Sequence, residues 1–172
     1  FVYPIFVVPG TNVREEIPSM PGCYHLSVDN AVELAKELAS LGIPAVEVFG
    51  LPEYKDADGS SAWDMTSPVQ RAEAAIKKAV PELMIVGDVC LCQYTTHGHC
   101  GHLEGHYVDN DKTLALLQKV AVSQAEAVPW HGKAAEAMRE RIRERARHLQ
   151  AAAAKHDTAA ESLTAHLVEK TA

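Results

Sequence analysis

An α/β fold over residues 1–127, followed by a helical extension over residues 128–172, is what this sequence predicts. Three observations carry that reading. Short runs rich in β-branched residues alternate with helical patterns, turn and cap residues fall between them, and the composition changes near Ala127. Residues 1–127 hold 8 Lys+Arg against 17 Asp+Glu, whereas residues 128–172 hold 8 against 6. Nine of the ten Gly and eight of the nine Pro precede residue 128.

Residues 3–8 form the first β-rich run, ended by Pro9-Gly10, and a loop is expected through Gly22. Ser27 or Asp29 is placed to cap a helix with Val32, Leu34, Ala35, Leu38 and Leu41 on one broad face, and Gly42 supplies its left-handed stop. Residues 43–49 are the second run, closed by Gly50, and residues 51–66 are polar and rich in turn formers. Ser67, Pro68 and Gln70 read as a capping box with proline at the first helical position, opening a second helix that runs to about Val80. Residues 83–91 are the third apolar run. Residues 109–127 are a third helix with Leu114, Leu116, Leu117, Val120 and Val122. Strands separated by helices imply about three βα units with parallel crossovers, in a sheet either open or closed into a barrel. Either way the chemistry belongs beyond the carboxyl ends of the strands.

The charge of −7 lacks the basic face that phosphate contacts need, so no nucleic-acid partner is expected. No apolar stretch approaches the roughly 20 residues of a membrane span. The chain starts at Phe1 without a charged segment and cleavable apolar segment before it, so no signal peptide is visible and the start reads as cut.

The loop after the third run, residues 88–106, holds three of the four cysteines and four of the nine histidines. Cys90 and Cys92, two apart at a strand end, would point both sulfurs to one face, and Cys100 returns eight residues later. Three thiolates so spaced suit a tetrahedral Zn²⁺ with a fourth position for water or substrate. Gly98 and Gly101 would let the loop fold back. The alternatives are three buried reduced thiols or a disulfide, and the βαβ pattern favours a reducing, cytoplasmic setting over the latter. His97 and His99 are candidates for a supporting hydrogen bond or for the open metal position. His102 and His106 read as solvated, and Cys23 as structural. Asp88, at the strand end, is either a functional carboxylate or one bonded to loop amides.

At these residues the sequence resembles a known family. DVCLCQYTTHGHCGH is similar to the zinc loop of porphobilinogen synthase, also called 5-aminolevulinate dehydratase, which condenses two molecules of 5-aminolevulinate in tetrapyrrole (heme) synthesis. YPIFVVPG, EEIPSMPGCYHLSVDN, AVEVFGLPEYKDADGSSAWD, SPVQRA and VDNDKTLALLQKVAVSQAEA also match it in order, from Tyr3 to Ala127. The resemblance implies a partial TIM (βα) barrel over residues 1–127, with Cys90, Cys92 and Cys100 as zinc ligands and Asp88 near the active site. It also implies a lyase acting on 5-aminolevulinate, and the unpaired strand edges of a part-barrel add self-association.

Several features depart from the family. Its members are nearly twice as long, continue into a fourth strand where this chain reads VPWHGKAAEAMRERI, and carry an N-terminal arm before the position of Phe1. Its two Schiff-base lysines stand in YSAK and VKP contexts, neither of which occurs here, and Lys133, Lys155 and Lys170 lie in polar helical surroundings. Where the family has an apolar residue in the second helix this chain has Glu73, beside Val69, Ile76 and Val80, so a surface buried in the family is expected to be exposed here. Such a chain is read as truncated or engineered, frameshifted near residue 128, or internally deleted.

The extension reads as a helical hairpin unrelated to the family. A first helix covers residues 132–155 with Met138, Ile142 and Leu149 on a narrow stripe, and His156-Asp157 breaks it. Thr158 and Glu161 cap a second helix through Leu163 and Leu167 to about Lys170. Arg139, Arg141, Arg143, Arg145 and Arg147 spread around the helix without lining a face. The hairpin is expected to cover apolar surface. The functional expectation is a zinc-binding part-barrel, inactive alone for want of the lysines. Two alternatives stand beside it: an enzyme active when complemented by another chain, and a helix-mediated interaction module on an αβ scaffold.

Overall fold

The structure is a computed structural model that describes residues 1–128 and, beyond them, residues 136, 137, 139–145, 147, 148, 151, 152, 154, 155 and 158. The elements are β1 (Val2–Val7), β2 (Arg14–Glu16), β3 (Tyr24–Leu26), α1 (Val28–Ser40), β4 (Ala45–Gly50), α2 (Pro68–Ala79), β5 (Met84–Gly87), β6 (Leu103–Glu104), β7 (Tyr107–Val108) and α3 (Asn110–Ala127). A short 3₁₀ helix, Ser60–Trp63, lies between β4 and α2.

The fold is α/β with a mostly parallel sheet in the order β2-β3-β1-β4-β5. The three apolar runs supply its centre: β1 pairs with β4 from Val2↔Ala45 to Val7↔Gly50, and β4 with β5 from Ala45↔Met84 to Val48↔Gly87, all parallel. Two strands of this sheet, and the small antiparallel pair β6-β7, were not expected. β3 adds to the free side of β1 in parallel through Phe6↔His25 and Val7↔Leu26, and β2 pairs antiparallel to β3. Each has three residues and β2 is wholly exposed, so neither carries the apolar alternation that marks a strand in sequence.

One sheet face is covered by α1 and α2. Ile5, Val7, Val46 and Val48 are at most 1% exposed and pack with Ala31, Ala35 and Leu38 of α1 and Val69, Ala72 and Ile76 of α2. Gly42 takes the expected left-handed conformation, but Leu41 is the C-cap residue of α1 and exposed instead of part of its buried face. On the opposite sheet face Phe6 and Phe49 stack 5.5 Å apart, and Val2, Met84 and Val86 are exposed.

Neither expected side-chain cap forms at the helix starts. Ser27 holds the N-cap position of α1, yet its hydroxyl accepts from the Val13 amide at 2.8 Å and Asp29 accepts from that of Asn12 at 2.9 Å. Both side chains tie the β2 approach to the helix. At α2, Pro68 does begin the helix, but Ser67 donates to the Ser61 carbonyl at 2.5 Å. Gln70 donates to the Ala62 carbonyl at 2.7 Å and to Ser123 Oγ at 3.1 Å. The capping-box residues instead bind the 3₁₀ helix and α3 to α2. Because α3 packs there, Glu73 is 1% exposed, and the expectation of an exposed surface around it is corrected.

Asp109 caps α3 by accepting from the Lys112 amide at 3.0 Å. The described residues of the extension are helical. Arg139 donates to the carbonyls of Val128 at 2.9 Å and Ala125 at 3.4 Å, the acceptors left open by the end of α3, and Arg143 pairs with Glu126 at 3.1 Å. Thr158 is helical with its hydroxyl on the Ala154 carbonyl, the bond of a residue inside a helix. Met138, Leu149, His156, Asp157, Glu161, Leu163 and Leu167 lie outside the described residues, as does the second helix of the hairpin.

Ile76 joins both helices to the sheet with no exposure. Ile76→Ala is expected to cost about 2–5 kcal/mol, read as a lowered midpoint in urea unfolding at unchanged slope.

Candidate metal centre

The two loops that leave the carboxyl ends of β4 and β5 are fastened to each other. Asp56 and Thr95 form a parallel bridge, and the Thr96 amide donates to the Asp56 carbonyl at 2.9 Å. His97 Nε2 lies 3.0 Å from the Ala57 carbonyl, and His102 Nδ1 lies 2.7 Å from Asp58 Oδ1. The Asp56 carboxylate in turn accepts from the amides of Asp58 and Ser60, both at 3.0 Å, and from the Ser60 hydroxyl. That donor set, the hydroxyl first, holds its pKa below the ordinary carboxylate value.

β5 ends at Gly87, so Cys90 and Cys92 lie past the strand, and strand alternation is not what aligns them. Leu91 does so. It is fully buried with Ala62, Tyr94 and Val120, so the residues on either side of it face away from that core. Cys90 Sγ and Cys92 Sγ come to 3.4 Å. Tyr94, 3% exposed, is seated where glycines leave room. A Cβ on Gly50 would meet its hydroxyl at 2.6 Å, and one on Gly59 its Cβ at 3.2 Å. Gly98, at φ 74°, reverses the chain, Thr95 Oγ1 donates to the His99 carbonyl at 3.0 Å, and Cys100 is thereby returned to the other two cysteines.

The three Sγ atoms lie within 4.8 Å of one another, the one such group of metal-binding side chains among the described residues. Sulfur ligands about 2.3 Å from a tetrahedral zinc would stand roughly 3.8 Å apart, so the donor set fits that ion in both chemistry and spacing. Cys90 and Cys92 are half-buried and Cys100 is exposed, which leaves one side of the group open. Burial, then hydrogen bonding to Cys90 and Cys100, pushes the Cys92 thiol up to about 12. The Cys100 thiol is raised chiefly by its bond to Cys90. Crowded thiols resist becoming adjacent thiolates, a cost that a cation between them removes.

Asp88 is half-buried, its Oδ2 accepting from Gln93 Nε2 at 2.9 Å and its carbonyl from Gln124 Nε2 at 3.0 Å. Burial raises its carboxyl above the usual range. Neither histidine placed beside the cysteines in sequence turns a ring nitrogen to them in a bond. His97 uses Nε2 on Ala57 and accepts the His99 amide at Nδ1, 3.1 Å, while the exposed His99 ring lies 5.6 Å from that of His97. His102 pairs with Asp58 where a solvated residue was expected, and His106 is exposed as expected. Gln93, Tyr94 and Gln124 support the loop, roles that their residue types and spacing do not mark. Gln124 lies 36 residues from the carbonyl it holds, a separation that no local pattern reports.

Comparison with known proteins accords with this arrangement. A sequence profile of the Delta-aminolevulinic acid dehydratase family matches residues 1–165. The Delta-aminolevulinic acid dehydratases of Synechococcus elongatus and Bacillus subtilis are 54% identical over 131 residues and 47% identical over 127, each match taking 74% of this chain. These matches cover 40% and 39% of the two relatives, so the chain spans about two fifths of their length. The crystal structure of the Toxoplasma gondii enzyme, also called porphobilinogen synthase, in complex with its reaction product porphobilinogen superposes with a TM-score of 0.70. It is 32% identical, over 73% of this chain and 37% of that one.

Proposed function

The chain belongs to the Delta-aminolevulinic acid dehydratase family, and from that premise we propose that it carries the metal-binding part of an enzyme condensing two molecules of 5-aminolevulinate to porphobilinogen. The observation that carries the reading is the group of three sulfurs within 4.8 Å beyond the ends of parallel strands β4 and β5. In it Cys90, Cys92 and Cys100 hold one Zn²⁺. When bound, the ion supplies a Lewis acid with one position open to water or substrate. Asp88, two residues before Cys90, is the proton carrier in this reading: burial raises its carboxyl above the usual range while Gln93 holds Oδ2. His97 and His99 close the loop around the ligands. Thiolate ligands require reducing surroundings, which supports a cytoplasmic setting.

Residues 1–127 form part of a (βα) barrel in this reading, and the described residues beyond them add helix whose Arg139 and Arg143 meet the end of α3. No lysine in these 172 residues stands in the sequence contexts of the family's Schiff-base pair. Turnover therefore draws on lysines from outside this sequence. The complemented enzyme is the second reading, and one observation favours it: among the described residues β5 is bonded on one side only, with Met84 and Val86 exposed beside the free edge.

Reduced protein is expected to bind about one Zn²⁺ per chain, and Cys90→Ser or Cys92→Ser to bind none, by metal analysis after desalting. Because burial and crowding raise the Cys92 and Cys100 thiols, those two hold their protons at neutral pH and must release them to the solvent on metal binding. Apparent zinc affinity should therefore fall on acidification, by up to about tenfold per pH unit for each proton displaced. Retention of zinc by the Cys92→Ser variant would remove the thiolate site.

With zinc and 5-aminolevulinate, the isolated chain is expected to form no pyrrole product in a colorimetric assay. Steady turnover would show that the chemistry needs no lysine from elsewhere. The free edge of β5 further predicts self-association, seen by light scattering as a mass that rises with concentration and exceeds 18.7 kDa.

A further inference from the structure

Behind the cysteine loop, α2 and α3 bury a second group of polar atoms that the metal centre does not use. Glu73 is 1% exposed, and neither of its carboxylate oxygens has a hydrogen-bond donor among the described residues. No Lys or Arg of the described residues pairs with it. An ionised carboxylate in that place would cost far more than burial of the helix face returns. The neutral acid has a proton to give, and an acceptor lies at hand.

Glu73 Oε1 and Gln124 Oε1 converge over Gly87, 2.6 and 2.5 Å from where a Cβ on that glycine would sit. Gln124 presents its oxygen there because its other end is committed, with Nε2 donating to the Asp88 carbonyl at 3.0 Å. Two acceptors facing each other repel, unless one carries a hydrogen. We propose that Glu73 is held as the neutral acid and donates to Gln124 Oε1, forming with Gln124 and the Asp88 carbonyl a latch that fixes the start of the cysteine loop and opens when Glu73 ionises. Glu73 is a positioning residue in this arrangement, linked to Cys90 through the Gln124 side chain and the backbone that follows the Asp88 carbonyl.

The titration follows from the surroundings. Burial alone lifts the Glu73 carboxyl to about 8 from an ordinary 4.5. The titratable neighbours coupled to this region are Tyr94, itself raised by burial and by the charges of Asp88 and Glu73, and Asp88 at the far end of the latch. Neither brings a positive charge that would favour ionisation of Glu73. A raised folded pKa means that the latch is at full strength below about pH 4.5, weakens as pH rises toward 8, and is lost above it.

Hydrogen exchange tests this without reference to what the cysteines bind, so the metal reading and the latch fail separately. The probes are the amides of Tyr94 and Thr95, which donate to the Leu91 carbonyl, and that of Thr96, which donates to the Asp56 carbonyl. Their protection, corrected for the intrinsic rate, is expected to fall by up to about tenfold per pH unit between pH 5 and 8 and then level off. In Glu73→Gln the amide donor is permanent, so protection should stay flat across that range and equal or exceed the wild-type value. The β1 and β4 amides should keep their protection in both proteins. An unchanged pH profile in Glu73→Gln, or an equal loss in β1 and β4, would overturn the latch. The wild-type Glu73 carboxyl, followed by its carbon chemical shift, should titrate above pH 7, and a midpoint near 4.5 would overturn it independently of any variant.

Discussion

Burial of Leu91 is the constraint on which the cysteine arrangement depends. A loop of polar and small residues beyond a strand has no reason to hold two thiols 3.4 Å apart, because each sulfur gains little from the other and loses water by the approach. Leu91 changes that balance. With Ala62, Tyr94 and Val120 around it, its side chain gains roughly the 1.5–3 kcal/mol of a fully buried leucine. The backbone on either side is then fixed with both cysteines turned away from that core. Tyr94 extends the anchor, and the glycines at 50 and 59 leave the room it occupies. A small apolar cluster separate from the main core thus sets the geometry of a polar site.

Much of this was legible before the structure was known, and the boundary has a physical basis. β1 and β4 are buried on one face by helices, so their sequences are apolar enough to be read as strands, and Gly42 marks the end of α1 because few other residues take its conformation. The cysteines were identifiable as a group because a ligand set is a matter of residue type and spacing. What failed were inferences that assumed a polar side chain serves its own helix. Ser27, Ser67 and Gln70 have cap chemistry at cap positions, yet each bonds to another segment. A hydroxyl near a helix start satisfies whichever donor or acceptor is buried closest to it, and sequence does not report which segment that will be.

Glu73 illustrates the same limit from the other side. A glutamate on an otherwise apolar helix face is read as a sign of exposure, since burying a charge is costly. The residue is instead buried, because its neighbours on α2 are apolar and α3 closes over them, and the cost is met by giving up the charge. The layer between α2 and α3 also holds polar side chains, with Gln70, Ser123 and Gln124 all buried. Such a layer ties the helices by direction as well as by area. It also connects the interior of the sheet's helical side to the loop that holds the cysteines.

The central place of β1 in the sheet bears on how the chain reaches this structure. Val2 pairs with Ala45 and Phe6 with His25, so β1 has partners on both sides, and both follow it in the chain. Neither partnership is a hairpin, and each must close a long stretch of backbone before a hydrogen bond is returned. Folding of this region should accordingly be governed by distant encounters, slower than for a helical bundle of the same length. Until β4 arrives with α1 behind it, Ile5 and Val7 stay uncovered, and that interval is when the chain is most open to joining the wrong partner.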